Sequence, residues 1–354
     1  MRRRLFAMPR GEALHFLEKS KNYHIAAKPM SGELILRTLH AVVHEGDLAF
    51  HGGQVGERTQ LVGADVVVNV ENIVAELPSY FFDPDYACPA TTWYQSVQVK
   101  GVLEPVTDST MKASILQGFM EKYQPEGRYV SIDANNPMYT KALDSLWVVR
   151  VSLERMVGRS KLGQHKKPET LTRIMEQLWK RGRPQDLKAI ELIRGANPEA
   201  SPPEFLKGDA RVTLHCDLLD PEETQLAGRM VEDAYWNPSF SATEIATAFE
   251  NSTAVVVARC RETGRLVGFA RAMSDFAKHA WLYDVYVDRP FRETGVGKSL
   301  IRLLLKHPAV RSAQKVHLST KDAQGFYQVF GFQDIHSLPP RPWSPTRMIL
   351  QRET

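Results

Sequence analysis

The sequence predicts two domains, a strand-rich antiparallel barrel with covering helices followed by a mixed α/β layer domain, on three observations. Alternating apolar segments crowd the first half, at residues 23–27, 34–44, 47–51, 66–75, 91–102 and 146–153. From residue 166 the pattern turns helical, and beyond residue 200 strands and helices intermix. Between these regimes stands Ala-Asn-Pro-Glu-Ala-Ser-Pro-Pro (196–203), whose prolines and small residues suit a linker.

In the first half, His44-Glu45-Gly46-Asp47 reads as a hairpin turn, and short helices over 11–19 and 109–123 cover a closed or nearly closed barrel. The two helices that follow, 168–181 and 184–194, each open on a proline, which the first helical turn tolerates because its N–H has no partner there anyway. The second half reads strand 211–214, helices 222–235 and 242–249, then strands 253–259, 266–273 and 281–287. A glycine-rich turn, a helix, a strand over 315–320, a helix over 323–330 and a last strand over 346–350 complete it. The expected divisions are 1–165 for the barrel, 166–200 for the helical pair and linker, and 201–354 for the α/β domain.

The 354 residues are 43% hydrophobic and 24% charged, enough to build two cores and too mixed for disorder. A net charge of +4 sets up no strong global field toward nucleic acid. Three cysteines with no paired spacing favour reduced thiols and no structural metal. Three arginines follow Met1 without an apolar core of signal-peptide length, and no segment approaches the roughly 18 apolar residues of a membrane span, so a soluble, cytoplasmic protein with no membrane partner is expected.

The most informative stretch is 281–305. The strand Trp-Leu-Tyr-Asp-Val-Tyr-Val leads through Arg292-Glu293-Thr294-Gly295-Val296-Gly297 into an amphipathic helix. A helix entered this way leaves its first N–H groups unpaired and facing outward, where they can hold a pyrophosphate. The loop fits the pattern R/Q-x-x-G-x-G/A, and about 30 residues on lies Ala-Gln-Gly-Phe-Tyr-Gln-Val-Phe-Gly-Phe. Together these resemble the GNAT superfamily of N-acetyltransferases over roughly residues 211–350.

That resemblance implies a GNAT fold with a mixed central sheet and an acetyl-CoA cosubstrate. The backbone of Arg292, Glu293, Thr294, Gly295, Val296, Gly297 and Lys298 would meet the diphosphate. Val285 and Val287 would pair with the pantetheine arm, Asp322 would lie beside it, and the strand over 315–320 would form the far side of a V. Tyr327 falls at the position of the acid that protonates the departing thiolate. For the base, Asp284 is the first candidate, with relayed water as the other route and His279 behind it. Glu293 departs from the family, which commonly has glycine or a small residue there. Trp236, Trp281, Tyr283 and Tyr286 are candidates for the pocket of the acceptor, a small-molecule or peptide amine, and equally for core.

In the barrel half, residues 37–59 and 91–106 resemble the pyridoxamine 5′-phosphate oxidase-like split barrels. The resemblance implies FMN held by Arg37, Thr38 and Leu39, by Phe50, His51 and Gly52, and by Arg58 near the phosphate, with Gln95 and Ser96 contributed across a homodimer interface. FMN-dependent oxidoreductase activity, a haem-binding variant and an empty barrel all stay open. Basic residues of the helical pair, among them Arg173, Lys180, Arg181 and Arg183, interleave with acids and read as a solvated face before a nucleic-acid surface. The leading reading is an acetyl-CoA-dependent N-acetyltransferase fused to a flavin-binding barrel. Its alternative is a non-catalytic flavin- or ligand-binding regulator carrying a degenerate transferase module.

Overall fold

The computed structural model describes residues 2–29, 32–53, 60–216 and 219–337. The chain divides into two compact units, Met1–Pro203 and Glu204–Thr354.

The first unit runs α1 (Arg2–Leu5), β1 (Ala7–Met8), α2 (Arg10–Lys19), β2 (Tyr23–Lys28), β3 (Ile35–Leu39), β4 (Val42–His44), β5 (Asp47–Gly53), β6 (Asp65–Leu77) and β7 (Thr91–Val102). There follow β8 (Glu104–Pro105), α3 (Ser109–Tyr123), α4 (Pro137–Ser145), β9 (Leu146–Ser152), β10 (Met156–Lys161), α5 (Pro168–Arg181) and α6 (Pro184–Ala196). A six-stranded sheet, β1-β10-β7-β6-β2-β3, and a four-stranded one, β4-β5-β9-β8, face each other as a split barrel, antiparallel throughout. Strand alternation explains the core: Val66, Val68 and Val70 of β6 and Trp93, Val97 and Val99 of β7 point inward, while Asn69, Glu71, Ser96 and Gln98 point out.

The single strand expected over 34–44 is two strands, one in each sheet. The chain crosses at Ala41, whose N–H donates to the Tyr123 hydroxyl at 3.2 Å and whose carbonyl accepts from Lys122 Nζ at 3.0 Å. Side chains of α3 thus satisfy the backbone where no strand can, which alternation alone cannot reveal. The helical pair belongs to this unit. Leu171, Ile174, Met175 and Leu178 are buried, and Arg181 donates to the Glu76 carbonyl at 2.7 Å and pairs with the buried Asp186 at 2.6 Å. Arg183 faces Glu76 at 3.5 Å, so acids of the same unit answer part of the basic character read in the sequence.

The second unit runs β11 (Val212–His215), α7 (Pro221–Val231), α8 (Ala242–Glu250), β12 (Ala254–Cys260), β13 (Leu266–Ser274), β14 (His279–Val287), α9 (Val296–Lys306), α10 (Pro308–Arg311), β15 (Lys315–His317) and α11 (Gln324–Gln328). The sheet order is β11-β12-β13-β14-β15, antiparallel except for the parallel pair β14–β15. Asp220 caps α7 by accepting from the Glu223 N–H at 2.8 Å, and Ser241 and Glu244 form a capping box on α8. Val255, Val257 and Phe269 of the sheet pack with Ala227, Val231, Ile245 and Phe249 of α7 and α8. On α9, Leu300, Ile301, Leu303 and Leu304 are buried, the expected amphipathic stripe.

Three expectations shift here. The helix read over 222–235 ends at Val231, where Asn237 Nδ2 donates to the Val231 carbonyl at 3.1 Å. The strand read over 315–320 ends at His317. The strand read over 346–350 lies outside the described residues.

Candidate active site

β14 carries the site because its pairing changes halfway along. On one side Arg271 pairs with Tyr283 and Phe269 with Tyr286, so Asp284 and Val285 together oppose Ala270: a β-bulge. Asp284 takes a left-handed conformation there, φ 46°. On the other side only His279–Trp281 pair with Lys315–His317, after which the two chains part. A cavity of about 620 Å³ opens beside the parting, bordered by Leu282, Val285, Ser319, Thr320, Ala323 and Tyr327.

Asp284 is buried and fully engaged. Its Oδ1 accepts from Trp236 Nε1 at 3.0 Å and Asn237 Nδ2 at 3.2 Å, and its Oδ2 accepts from Arg271 Nε at 2.5 Å. Arg271 in turn lies over the Tyr283 ring, 4.8 Å from its centroid. Neither Arg271 nor Asn237 stood out in the sequence; the signal for Arg271 was a charge inside the apolar strand Leu-Val-Gly-Phe-Ala-Arg-Ala-Met.

Tyr327 lies half-buried at the cavity wall between Phe326 and Phe332. Burial, with help from nearby Tyr235, pushes its hydroxyl up to about 12, so it stays protonated through the neutral range. Asp322 also borders the cavity, accepting from the Tyr235 hydroxyl at 3.2 Å. His279 sits apart from the cavity lining, its Nδ1 2.8 Å from His317 Nε2.

The glycine loop stands where β14 ends. Arg292 Nε donates to the Val287 carbonyl at 2.8 Å, and Thr294 Oγ1 to the Phe291 carbonyl at 2.8 Å. Glu293, at φ 62°, and Gly295, at φ 94°, turn the chain into α9. Ser299 is the first residue of this helix whose N–H reaches a backbone acceptor, the Gly295 carbonyl at 2.9 Å. Among the described residues the amides of 293–298 reach none. Those six amides and the start of the helix dipole make an anion cradle whose donors all belong to the backbone. A Cβ at Gly297 would sit 3.6 Å from Phe326 and Val287, ordinary contact, so protein packing does not demand glycine there.

The expected acceptor-side aromatics divide. Trp236, Trp281 and Tyr283 line the cavity, joined by Tyr235 and Phe240. Tyr286 instead stacks on Phe269, ring centroids 5.3 Å apart, in the core against α7 and α8.

In the barrel the expected flavin residues of one chain lie on both sheets. Arg37, Thr38 and Leu39 lie on β3 at one edge of the larger sheet, with Thr38 Oγ1 3.2 Å from His24 Nδ1. His51 and Gly52 lie on β5 of the smaller sheet, His51 edge-on to Phe119. Gln95 faces inward toward Ser160, while Ser96, one residue on, faces out. Arg58 lies outside the described residues. Ser96 lines an outer-face groove of about 360 Å³ with Asn69, Gln98, Lys100, Arg155 and Arg159. Among the described residues no cluster of His, Cys, Asp or Glu suits a metal ion, and no helix is long and apolar enough to cross a membrane.

Comparison with known proteins finds two family matches along the chain. The profile of the pyridoxamine 5′-phosphate oxidase family matches residues 9–160, and that of the acetyltransferase (GNAT) family matches residues 217–332. The chain is 31% identical over 96 residues to GCN5-related N-acetyltransferase 1, chloroplastic, of Arabidopsis thaliana, covering 27% of this chain and 49% of that protein. It is 35% identical over 86 residues to histone acetyltransferase TAP1 of Glycine max, covering 24% and 37%. The chain thus spans about half or less of these two curated relatives. Among solved structures, a putative GNAT-family acetyltransferase from Xanthomonas campestris pv. campestris aligns at 29% identity and TM-score 0.32, covering 36% of this chain and 92% of that one. The flavocytochrome Anf3 from Azotobacter vinelandii aligns at 16% identity and TM-score 0.37, covering 45% and 71%. Two family matches thus follow one another in one polypeptide, residues 9–160 to the pyridoxamine 5′-phosphate oxidase family and residues 217–332 to the acetyltransferase (GNAT) family.

Proposed function

We propose that the second unit transfers an acetyl group from acetyl-CoA to a primary amine. The parting of β14 from β15 carries this reading: it leaves a strand edge free for an extended arm, with the cradle of 293–298 at its far end and Tyr327 beside it. The cradle holds the diphosphate, and the free edge of β14, Val285 among its residues, pairs with the arm. The amine nitrogen attacks the thioester carbonyl, the C–N bond forms, the C–S bond breaks, and the thiolate takes its proton from Tyr327.

We assign Asp284 to positioning. Three N–H donors, one of them a guanidinium, occupy its two oxygens, so neither is turned to an incoming amine, and the amine proton leaves through water. Asp284 fixes the bulge that sets Val285 at the gap.

The test is calorimetric titration of coenzyme A into the full chain, with thiol release from acetyl-CoA over an amine panel. Gly297→Asp is expected to fold, because a Cβ there makes only ordinary contact with Phe326 and Val287 and the helix dipole accepts a carboxylate, yet it sets a negative charge beside the cradle. Coenzyme A affinity is expected to fall at least tenfold, with that of pantetheine, which lacks the diphosphate, unchanged. Unchanged coenzyme A affinity in this variant removes the cradle and the reading with it.

For the barrel we infer a phosphorylated flat ligand of the FMN class on the outer face. Lys100, Arg155 and Arg159 stand there against the single acid Glu71, a donor set suited to phosphate, with Tyr94 and Val157 offering ring contact. Bound FMN would supply hydride or single-electron chemistry. Exposed Val67 and Val157 on this face support a homodimer through it. Flavin absorbance in the purified chain and a dimer mass by light scattering are the expected results; a colourless monomer that ignores added FMN refutes both.

A further inference from the structure

The cavity beside the parted strands has a second half that the acetyl-CoA reading does not use, and its chemistry specifies an acceptor. Five aromatic side chains line it while still exposed to solvent: Tyr235 at 48%, Trp236 at 40%, Phe240 at 55%, Trp281 at 37% and Tyr283 at 41%. Large aromatics held at a surface in one concave patch mark a binding site far more often than scattered single ones do.

The charges in the same lining are unbalanced. Its acids are Glu244, Asp284 and Asp322, and its one base, Arg271, is spent on Asp284. Glu244 and Asp322 therefore face the cavity without a cationic counterpart in its wall. Glu244 Oε2 accepts from Ser241 and Asp322 Oδ1 from Tyr235, which leaves each carboxylate one oxygen for an incoming donor. Arg271 already lies over Tyr283 and Lys321 over Tyr235, so the rings left to an organic cation are those of Trp236, Phe240 and Trp281, which with the two carboxylates attract it and bury an apolar arm behind it.

Resting on the transferase reading, we propose that the acceptor is a small primary amine on an aryl or branched apolar arm, which enters as its ammonium form and is selected by this aromatic wall. The ammonium releases one proton to solvent before attack. The second leaves the nitrogen through water after the C–N bond forms, and the thiolate is protonated by Tyr327, so the net reaction gives amide, thiol and one proton.

The alternatives are a polyamine, which carries several charges and no ring, and a lysine side chain within a peptide. Thiol release by the full chain is compared for 2-phenylethylamine, spermidine and a lysine-containing peptide. The arylalkylamine is expected to lead in kcat/KM by at least tenfold; a lead by either other amine overturns the proposal. Phe240→Ala, which removes an exposed ring, and Glu244→Gln, which keeps the capping oxygen, are each expected to raise the KM for 2-phenylethylamine severalfold with coenzyme A affinity unchanged. An unchanged KM in both refutes the wall.

A binding readout separates this proposal from the transferase reading. The 2-phenylethyl-trimethylammonium ion cannot be acetylated but carries the same arm and charge. Saturable quenching of tryptophan fluorescence by this ion, lost in Phe240→Ala, sustains the site even if no amine releases thiol. No quenching by it in a chain that binds coenzyme A refutes the acceptor class while leaving the transferase reading standing.

Discussion

Tyr327 is the acid of the proposed transfer. It enters as the phenol, because burial holds its hydroxyl up to about 12 and keeps it protonated across the neutral range. Giving that proton to a thiolate of ordinary pKa about 8.5 runs uphill and is completed by proton uptake from solvent. Tyr327→Phe should lower kcat on the order of 10²-fold with little change in acetyl-CoA affinity, read by steady-state thiol release and calorimetry. Asp284 carries the opposite expectation. Replacing it by alanine strands the Arg271 guanidinium in a site where their side chains are only 13% and 3% exposed, and should cost about 3–5 kcal/mol in a urea unfolding titration. Asp284→Asn keeps an oxygen for Trp236 and Asn237; if it leaves the pH profile of kcat/KM unmoved, the positioning role holds, and loss of a basic limb restores the carboxylate as base. Both residues stand out in the sequence, because each lies in a local motif. What Asp284 does is not legible there, since its partners come from β13 and from the turn after α7.

Elements whose ends are set locally could be read to the residue. Proline starts α5 at Pro168, Asp108 caps α3 by accepting from the Met111 N–H at 2.7 Å, and the alternation of β7 stops at Val102 as expected. Elements whose ends are set across space were misjudged. β15 stops at His317 because β14 moves away from it, and the strand read over 34–44 breaks where α3 reaches in. The α9–α10 corner gives a pH prediction. His307 is buried, and its Nδ1 accepts from the Ala309 N–H at 3.2 Å, capping α10 only while that nitrogen is unprotonated. Burial pulls its pKa down to about 4 from the ordinary 6.5. Between those values the unfolded chain binds the proton and the folded chain does not, so stability is whole above pH 6.5 and drains as pH falls toward 4. The loss reaches about 3 kcal/mol at most. His307→Asn, which can cap without titrating, should flatten the melting temperature across that window.

At the scale of the molecule, the two families were legible because each leaves a signature within a short stretch: the glycine loop with its Phe-Tyr partner, and the strand run of the barrel. The faces of the barrel residues were less legible, because consecutive residues such as Gln95 and Ser96 leave a strand on opposite sides. The transferase reading also predicts linkage. Coenzyme A at a hundred times its dissociation constant should stabilise the folded second unit by about 2.7 kcal/mol, read as a rise in its melting temperature in the full chain.

The half of β14 beyond Trp281 has one more consequence. Among the described residues no strand pairs with it on the β15 side, where its main-chain donors and acceptors form a template for an extended peptide, a neighbouring molecule included. Cosubstrate filling that rim would act as a detachable extra strand, shielding the protein from self-association. Light scattering on warming should therefore begin at a lower temperature for ligand-free protein than for protein saturated with coenzyme A, and equal onsets would show that the rim is harmless when bare.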